Sequence, residues 1–389
     1  MNNRETFRLL VIGFISLTIV IGIGRFLFTP ILPYMEIGTS QSFSALGMLA
    51  TWNYIGYFIG AFAARTIQPT GTSMILLLIT NGLMTVLMGL MDDYFMWVLF
   101  RLLSGISSGF IFVFATNLVL GRFVQLNQTQ YSGYLYSGVG FGILLSGGFT
   151  PFITNSVNWS FTWLFFGLIS LLLTVIVAFM MNVMPRDKTE TTFTARVPSK
   201  YHSKKKKIAL YLSYLFEGFG YIIYATFITG LLANNNVSFE PSYIWAIVGL
   251  GAIPSCIVWS WLGKKISASK ALKYAYFIQI LAVFIPVLSQ HLLLIVLSAF
   301  LFGGTFLGII TLTMNISKQF KDSKNLVSGL TAIYALGQII GPSVASLFIK
   351  FIHFQFSFLL AGFALVLSFI IVAASFTSNA PFHSKFNRD

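Results

Sequence analysis

Residues 185–207 read PRDKTETTFTARVPSKYHSKKKK, the longest polar stretch in a chain of 389 residues. The sequence on either side of it is oily. Before it, apolar runs occupy about 8–34, 43–65, 72–91, 94–121, 131–153 and 158–184; after it, about 208–233, 240–263, 268–288, 291–317, 324–349 and 355–378. Each run is close to the ~20 residues that a helix needs to cross a bilayer. Backbone groups in lipid must bond within the membrane-embedded structure, and the alternation of a membrane barrel is missing, so the runs are read as helices. The expected fold is an all-α membrane protein. Its twelve transmembrane helices form two pseudo-symmetric six-helix bundles, 1–184 and 208–389, joined by a basic cytoplasmic linker, 185–207.

Composition points the same way: 56% of residues are hydrophobic, 9% are charged, 41 are Phe, and the mean hydropathy is +0.83. A soluble domain is about one quarter charged. No length remains for a separate catalytic module, so the chain is not read as an enzyme. A net charge of +14 in a soluble protein would suggest nucleic acid, but here the cations lie in short connections. Arg4, Arg8, Arg65, Arg122, the linker cluster, Lys264, Lys265, Lys270, Lys273, Lys318, Lys321, Lys324, Lys385 and Arg388 share one side. Opposite them stand only Lys350 and the acids Glu36, Asp92, Asp93 and Glu240. The positive-inside rule then places both termini in the cytoplasm of a multi-pass protein of the bacterial inner membrane, with lipid and not nucleic acid as its partner. The first run carries Arg25 and has Ile-Val-Ile at 19–21, not a small-residue cleavage site, so it is read as a retained span.

The lone Cys256 excludes an internal disulfide, and His202, His291, His353 and His383 are not spaced for a metal on one helix face. No GK[ST] loop is present. No cofactor or metal is expected, and the chain is expected to act as a monomer.

Three ionisable groups lie well inside apolar runs: Arg25 in the first, Arg101 in the fourth and Glu217 in the seventh. A charge at mid-membrane costs about 2.5–3.5 kcal/mol, so each is expected to face protein or a wet cavity. Simpler roles exist for the arginines: Arg101 could snorkel toward Asp92 or Asp93, and Arg25 could clamp backbone carbonyls. Glu217 lies roughly 14 Å into its run at 1.5 Å per residue, too deep to reach the interface. Two cations and one carboxyl suit a ligand with carboxylates and an amine, provided that Glu217 does not neutralise the arginines. Arg stays protonated, so of the three only Glu217 can carry a proton.

Asn53, Tyr54 and Tyr57 in the second run, Asn117 in the fourth, Tyr221 and Tyr224 in the seventh, Asn315 in the tenth, and Tyr334 and Gln338 in the eleventh add hydrogen-bonding groups. Glu217, Tyr221 and Tyr224 fall on one helical stripe. Gly138 and Gly142 in the fifth run, with Gly337, Gly341 and Pro342 in the eleventh, form small-residue faces for packing or gating, and Pro342 is expected to kink its helix. Ser132-Gly133, Ile143 and Phe152-Ile153 match Ser328-Gly329, Ile339 and Phe348-Ile349 at constant spacing, as Gly105 and Gly109 match Gly304 and Gly308. Such matches favour two related halves.

Twelve spans divided by a basic loop resemble the major facilitator superfamily. Arg101-Leu-Leu-Ser104-Gly105 resembles its helix-4 motif, whose Arg is associated with proton coupling; Ser104 stands where Gln is usual. Gly60 to Arg65 occupies the place of the loop between helices 2 and 3, with Ala64 in place of the Asp of the usual gating salt bridge. The glycines of the fifth run are similar to the exporters' antiporter motif. The strings Gly22-Ile-Gly24-Arg25-Phe26-Leu-Phe28-Thr29-Pro30, Asn53-Tyr54-Ile-Gly56-Tyr57 and Glu217-Gly218-Phe219-Gly220-Tyr221-Ile-Ile-Tyr224 resemble the YbfB/YjiJ-type subgroup. The resemblance implies a secondary transporter and exporter working by alternating access. The expected cargo is a small zwitterionic or anionic metabolite, an amino-carboxylate metallophore among the candidates, exchanged for protons. Efflux of lipophilic compounds as a multidrug pump is the alternative.

Overall fold

The computed structural model describes residues 2–67, 70–126, 128, 131–156, 158–182 and 203–376. The N-terminal half comprises α1 (Asn2–Leu17), a π-helical segment (Thr18–Ile23), α2 (Phe28–Gly38), α3 (Phe43–Ala63), α4 (Gly71–Leu90), α5 (Tyr94–Gln125), α6 (Ser132–Ser156) and α7 (Trp159–Asn182). The C-terminal half comprises α8 (Lys204–Asn234), α9 (Ser242–Ile266), α10 (Ala268–Leu288), α11 (Leu292–Ser317), α12 (Ser323–Phe351) and α13 (Phe354–Ser375). Every apolar run is a helix, and α1, the π segment and α2 together make the first span. Most of the linker lies outside the described residues. Its last four residues, Lys204–Lys207, form the first turn of α8.

Eleven of the spans are long and apolar enough to cross a membrane. α3 has the length, but Thr51, Trp52, Asn53, Tyr54 and Tyr57 dilute its hydropathy. Those residues are the price of lying at the centre of the molecule, where Asn53 and Tyr54 are buried. The opposite extreme is α7, whose Leu168, Leu172, Val175 and Phe179 point outward, as a lipid-facing helix requires.

Within the N-terminal half α3 packs on α5 and α4 on α7; within the C-terminal half α9 packs on α11 and α8 on α12 and α13. The α3–α5 and α9–α11 pairs use the repeated glycines. A Cβ on Gly105 would strike the Asn53 carbonyl and one on Gly308 the Trp259 ring, so both pairs depend on close approach. Two seams join the halves, α6 against α9 and α3 against α12, with α2 crossing α8 between them.

Helix ends are closed locally. Thr70 and Ser73 form a reciprocal cap on α4, and the Ser42 side chain accepts from the Ala45 amide at the start of α3, which satisfies donors that have no partner within a helix. The order of the spans puts Arg65, Arg122, Lys204, Lys264 and Lys318 at one end of the bundle and Glu36, Asp92 and Glu240 at the other. These are called the basic and acidic ends below.

Candidate functional site

The first span is not α-helical throughout: a π-helical segment and a turn precede α2, in which Pro30 and Pro33 lack amide donors. Its ladder is shifted before the first proline: the Gly24 amide donates to Ile19 O at 2.7 Å and the Phe26 amide to Ile21 O at 3.1 Å, a five-residue spacing. The Thr29 amide turns to Phe26 O, the carbonyl that Pro30 cannot serve. Each displaced bond frees a carbonyl, and α5 supplies replacement donors. Ser108 Oγ donates to Val20 O at 2.9 Å, Arg101 Nη1 to Gly24 O at 3.0 Å and Arg101 Nη2 to Arg25 O at 3.3 Å.

Arg101 is therefore not snorkelling toward Asp92 or Asp93; it is 1% exposed and clamps the broken first span. The backbone clamp weighed as a simpler role for Arg25 is made by Arg101. Both terminal nitrogens of Arg101 are committed to carbonyls, and its Nε has no partner among the described residues. Asn53 Nδ2 donates to Arg101 O at 2.9 Å, fixing α3 to α5.

Arg25, released from backbone duty, points between the halves. Its guanidinium lies 4.4 Å from the centre of the Tyr54 ring, 4.9 Å from Tyr57 and 5.3 Å from Phe26, an aromatic surround that favours a cation. Nη2 reaches the hydroxyl of Tyr221 on α8 at 3.4 Å, and Nε has no partner among the described residues. From α12, Gln338 Nε2 donates to the same hydroxyl. One oxygen thus receives donors from both halves.

The C-terminal wall is a ladder of rings. Tyr214 stacks on Tyr334 (4.3 Å between centroids), Tyr334 on Tyr221 (5.4 Å), Tyr221 on Phe306 (5.9 Å), Phe306 on Phe302 (5.7 Å) and Phe302 on Tyr224 (4.0 Å).

Glu217, Tyr221 and Tyr224 do not act as one stripe. Tyr221 faces Arg25, Tyr224 pairs with Ser298 Oγ at 2.8 Å, and Glu217 turns away from the centre toward α10. There Glu217 is 0% exposed, accepts from Gln279 Nε2 at 3.0 Å, and leaves Oε2 without a partner among the described residues. Among the described residues it forms no ion pair with either arginine.

Asn117 is also apart, exposed on α5. The predicted packing residues Gly138, Gly142, Gly337 and Gly341 pack within halves: Gly138 and Gly142 against Phe14 and Gly22, Gly337 and Gly341 against Leu215 and Phe219. Pro342 continues within α12. The seam between the halves instead uses Gly140 and Gly147, where a Cβ would meet the backbone of Ile253 and Ala246.

Toward the acidic end the halves are laced together. Thr29 Oγ1 donates to Ala225 O, Thr229 Oγ1 to Thr29 O, and Ser242 Oγ to Pro30 O at 2.8 Å. Thr29 O is the carbonyl that Pro33 leaves unserved, so the helix break supplies the acceptor. Thr51 pairs with Ser343 at 3.0 Å and Ser44 Oγ donates to Ser346 O at 2.8 Å. Toward the basic end, Arg65 Nη2 donates to Ser328 O at 3.2 Å, a contact that does not need the acid replaced by Ala64.

The residues missed from sequence are uncharged. Asn81 Nδ2 lies within 3.2 Å of Ser104 O and the hydroxyls of Ser104, Ser107 and Ser108, tying α4 to the clamp helix. Its signal was one Asn in an apolar run opposite three serines at helical spacing. Gln279, Thr29 and Thr229 carried no comparable signal.

Residues 17–373 match the family described as "Uncharacterised MFS-type transporter YbfB". The chain belongs to this family. This MFS-type transporter is similar to multidrug resistance protein 2 of Bacillus subtilis (strain 168), at 22% identity over 383 residues and 94% of both chains. Its fold is similar to that of the nucleoside transporter NupG, with a TM-score of 0.72 and 12% identity over 96% of this chain and 100% of the other. It is also similar to a bacterial homologue of the human lysosomal transporter Spinster in an inward-facing and occupied conformation, with a TM-score of 0.69 and 15% identity over 96% of each chain. The expected fold and family are thus established, and the MFS-type transporter is a multi-pass membrane carrier of small molecules.

Proposed function

We propose that the protein is a proton-coupled, alternating-access exporter of a small organic anion or zwitterion, held by its carboxylate between Arg25 and Gln338. The observation that carries this reading is the pair of donors aimed at one oxygen from opposite halves. The Tyr221 hydroxyl fills that position, and a carboxylate oxygen, being charged, is a stronger acceptor. Cargo bound there draws the halves together through its own charge.

Residues 1–184 and 208–389 act as the two rocking units, with 185–207 as the basic connection on the cytoplasmic side. The lacing by Thr29, Thr229 and Ser242 holds the acidic, outer end closed. Release outward requires those three bonds to part while the α6–α9 seam acts as the fulcrum. Glu217 serves as the proton carrier: it changes charge as its helix moves relative to Gln279, without touching cargo. Tyr54, Tyr57 and Tyr334 border the cargo.

One carboxylate is favoured over the several of an amino-carboxylate metallophore, since of the two interior arginines only Arg25 reaches across to the other half while both terminal nitrogens of Arg101 bond backbone carbonyls. The second reading, efflux of lipophilic compounds, draws on the relative named for multidrug resistance and on the aromatic wall; a fixed cation at the centre opposes lipophilic cations. Proteoliposomes separate the two. Uptake of a carboxylate driven by a pH gradient and lost in Arg25→Gln supports the proposal, whereas gradient-driven movement of dyes with no carboxylate transport supports the second reading.

A further inference from the structure

Tyr221 occupies a slot shaped for something else. Its ring is sandwiched between Tyr334 and Phe306, parallel to them within 8° and 5°, while its oxygen sits on the two donors Arg25 and Gln338. The centroid separations on its two faces, 5.4 and 5.9 Å, exceed the 4.3 and 4.0 Å of the Tyr214–Tyr334 and Phe302–Tyr224 stacks in the same ladder. The Phe306–Phe302 step is 5.7 Å, so the wide part of the ladder runs from Tyr334 to Phe302 and includes both faces of Tyr221, whose oxygen meets the two donors. Tyr334 is also among the few central rings with exposed surface, at 8%.

We infer that Tyr221 is a tethered stand-in for the cargo, and that the cargo is an aromatic carboxylate whose flat ring replaces the Tyr221 ring between Tyr334 and Phe306 as its carboxylate replaces the hydroxyl. The inference rests on the proposed carboxylate reading and narrows it. A phenol and an aromatic acid share the same outline, a planar ring with oxygen at one edge. The acid adds the negative charge that the neutral Tyr221 hydroxyl does not offer to Arg25. A puckered aliphatic ring of equal charge satisfies the donors but cannot lie flat between two parallel faces. Phe26, tilted at 79° to Phe306, closes the slot on the N-terminal side with another ring.

The test measures binding of three matched pairs to the full-length protein in nanodiscs: benzoate with cyclohexanecarboxylate, phenylacetate with cyclohexylacetate, and indole-3-acetate with octanoate. At least one aromatic member is expected to bind about tenfold tighter than its saturated partner. Tyr221→Phe, which keeps the ring and frees both donors, is expected to tighten both members about fivefold. Equal affinities within every pair, all lost in Arg25→Gln, overturn the ring slot but leave the carboxylate reading standing. Weaker binding in Tyr221→Phe shows that the hydroxyl is a ligand and overturns the stand-in role. Binding by no member, or binding indifferent to Arg25→Gln, overturns both. The comparison within pairs uses wild-type protein, so a variant that fails to fold does not remove the test.

Discussion

Arg101 Nη2 donates to the backbone carbonyl of Arg25 at 3.3 Å: one interior arginine holds in place the residue that presents the other. The division of labour explains why two cations coexist in a buried region. The terminal nitrogens of one meet orphaned carbonyls and the other meets ring faces and a hydroxyl, each leaving Nε without a partner among the described residues.

The two arginines should therefore fail differently. Arg101→Ala orphans two carbonyls and removes a buried side chain, and a loss of about 2–4 kcal/mol is expected, read as a lower melting temperature with transport abolished. Arg101→Lys should recover only part, because one point donor cannot serve two carbonyls in fork geometry.

Arg25→Gln removes no backbone bond. Melting temperature should stay near that of wild type while carboxylate binding falls by at least tenfold, since hydrogen bonds to charged groups are worth about 1.5–3 kcal/mol. A melting temperature as low as that of Arg101→Ala would show Arg25 to be structural.

Glu217→Gln keeps shape and the Gln279 contact but cannot change charge. Counterflow of cargo down its own gradient should persist, and accumulation driven by a pH gradient should disappear. Unaltered gradient-driven accumulation in this variant removes Glu217 from coupling.

The seam offers a paired test on neighbouring residues. A Cβ at Gly147 would meet the Ala246 backbone, whereas one at Gly148 meets nothing within 4 Å. Gly147→Ala should slow transport severalfold, and Gly148→Ala should leave it unchanged with stability equal or up to about 1 kcal/mol higher.

Thr229→Val deletes the bond to Thr29 O and should favour opening at the acidic end. A single cysteine introduced at Phe26, in protein whose buried Cys256 has been replaced by alanine, should then react faster with a thiol reagent applied from that side.

The fold was legible because lipid imposes one simple rule on every span, and the apolar runs obey it to within a few residues. Arg25, Arg101 and Glu217 were legible as buried because charge in an apolar run has a cost that demands an explanation. Their roles were not. Helical spacing put Glu217, Tyr221 and Tyr224 on one stripe, but each side chain finds a partner on a different helix, which only tertiary packing decides. The glycines of α6 show the same limit: Gly138 and Gly142 face α1 and the π segment, while Gly140 and Gly147 make the seam. That Pro30 and Pro33 leave Phe26 O and Thr29 O without helix donors follows from the sequence, yet the use of Thr29 O as a lace between halves depends on Thr229 being opposite. The halves do carry a relation beyond the repeats noted from sequence: Gly22, Gly24 and Arg25 stand against Gly218, Gly220 and Tyr221, the last pair separated by 196 residues. A cation and its acceptor thus stand at corresponding positions of two helices, one broken and one continuous.

The most direct test of the carboxylate site is to present a mixed library of small metabolites to wild-type and Arg25→Gln protein in nanodiscs and identify by mass spectrometry what each retains. Compounds kept by wild type and lost by the variant should be dominated by molecules with a single carboxylate. A retained set that is unchanged by the substitution, or that consists of cations, would contradict the assignment of Arg25 as the group that holds the cargo.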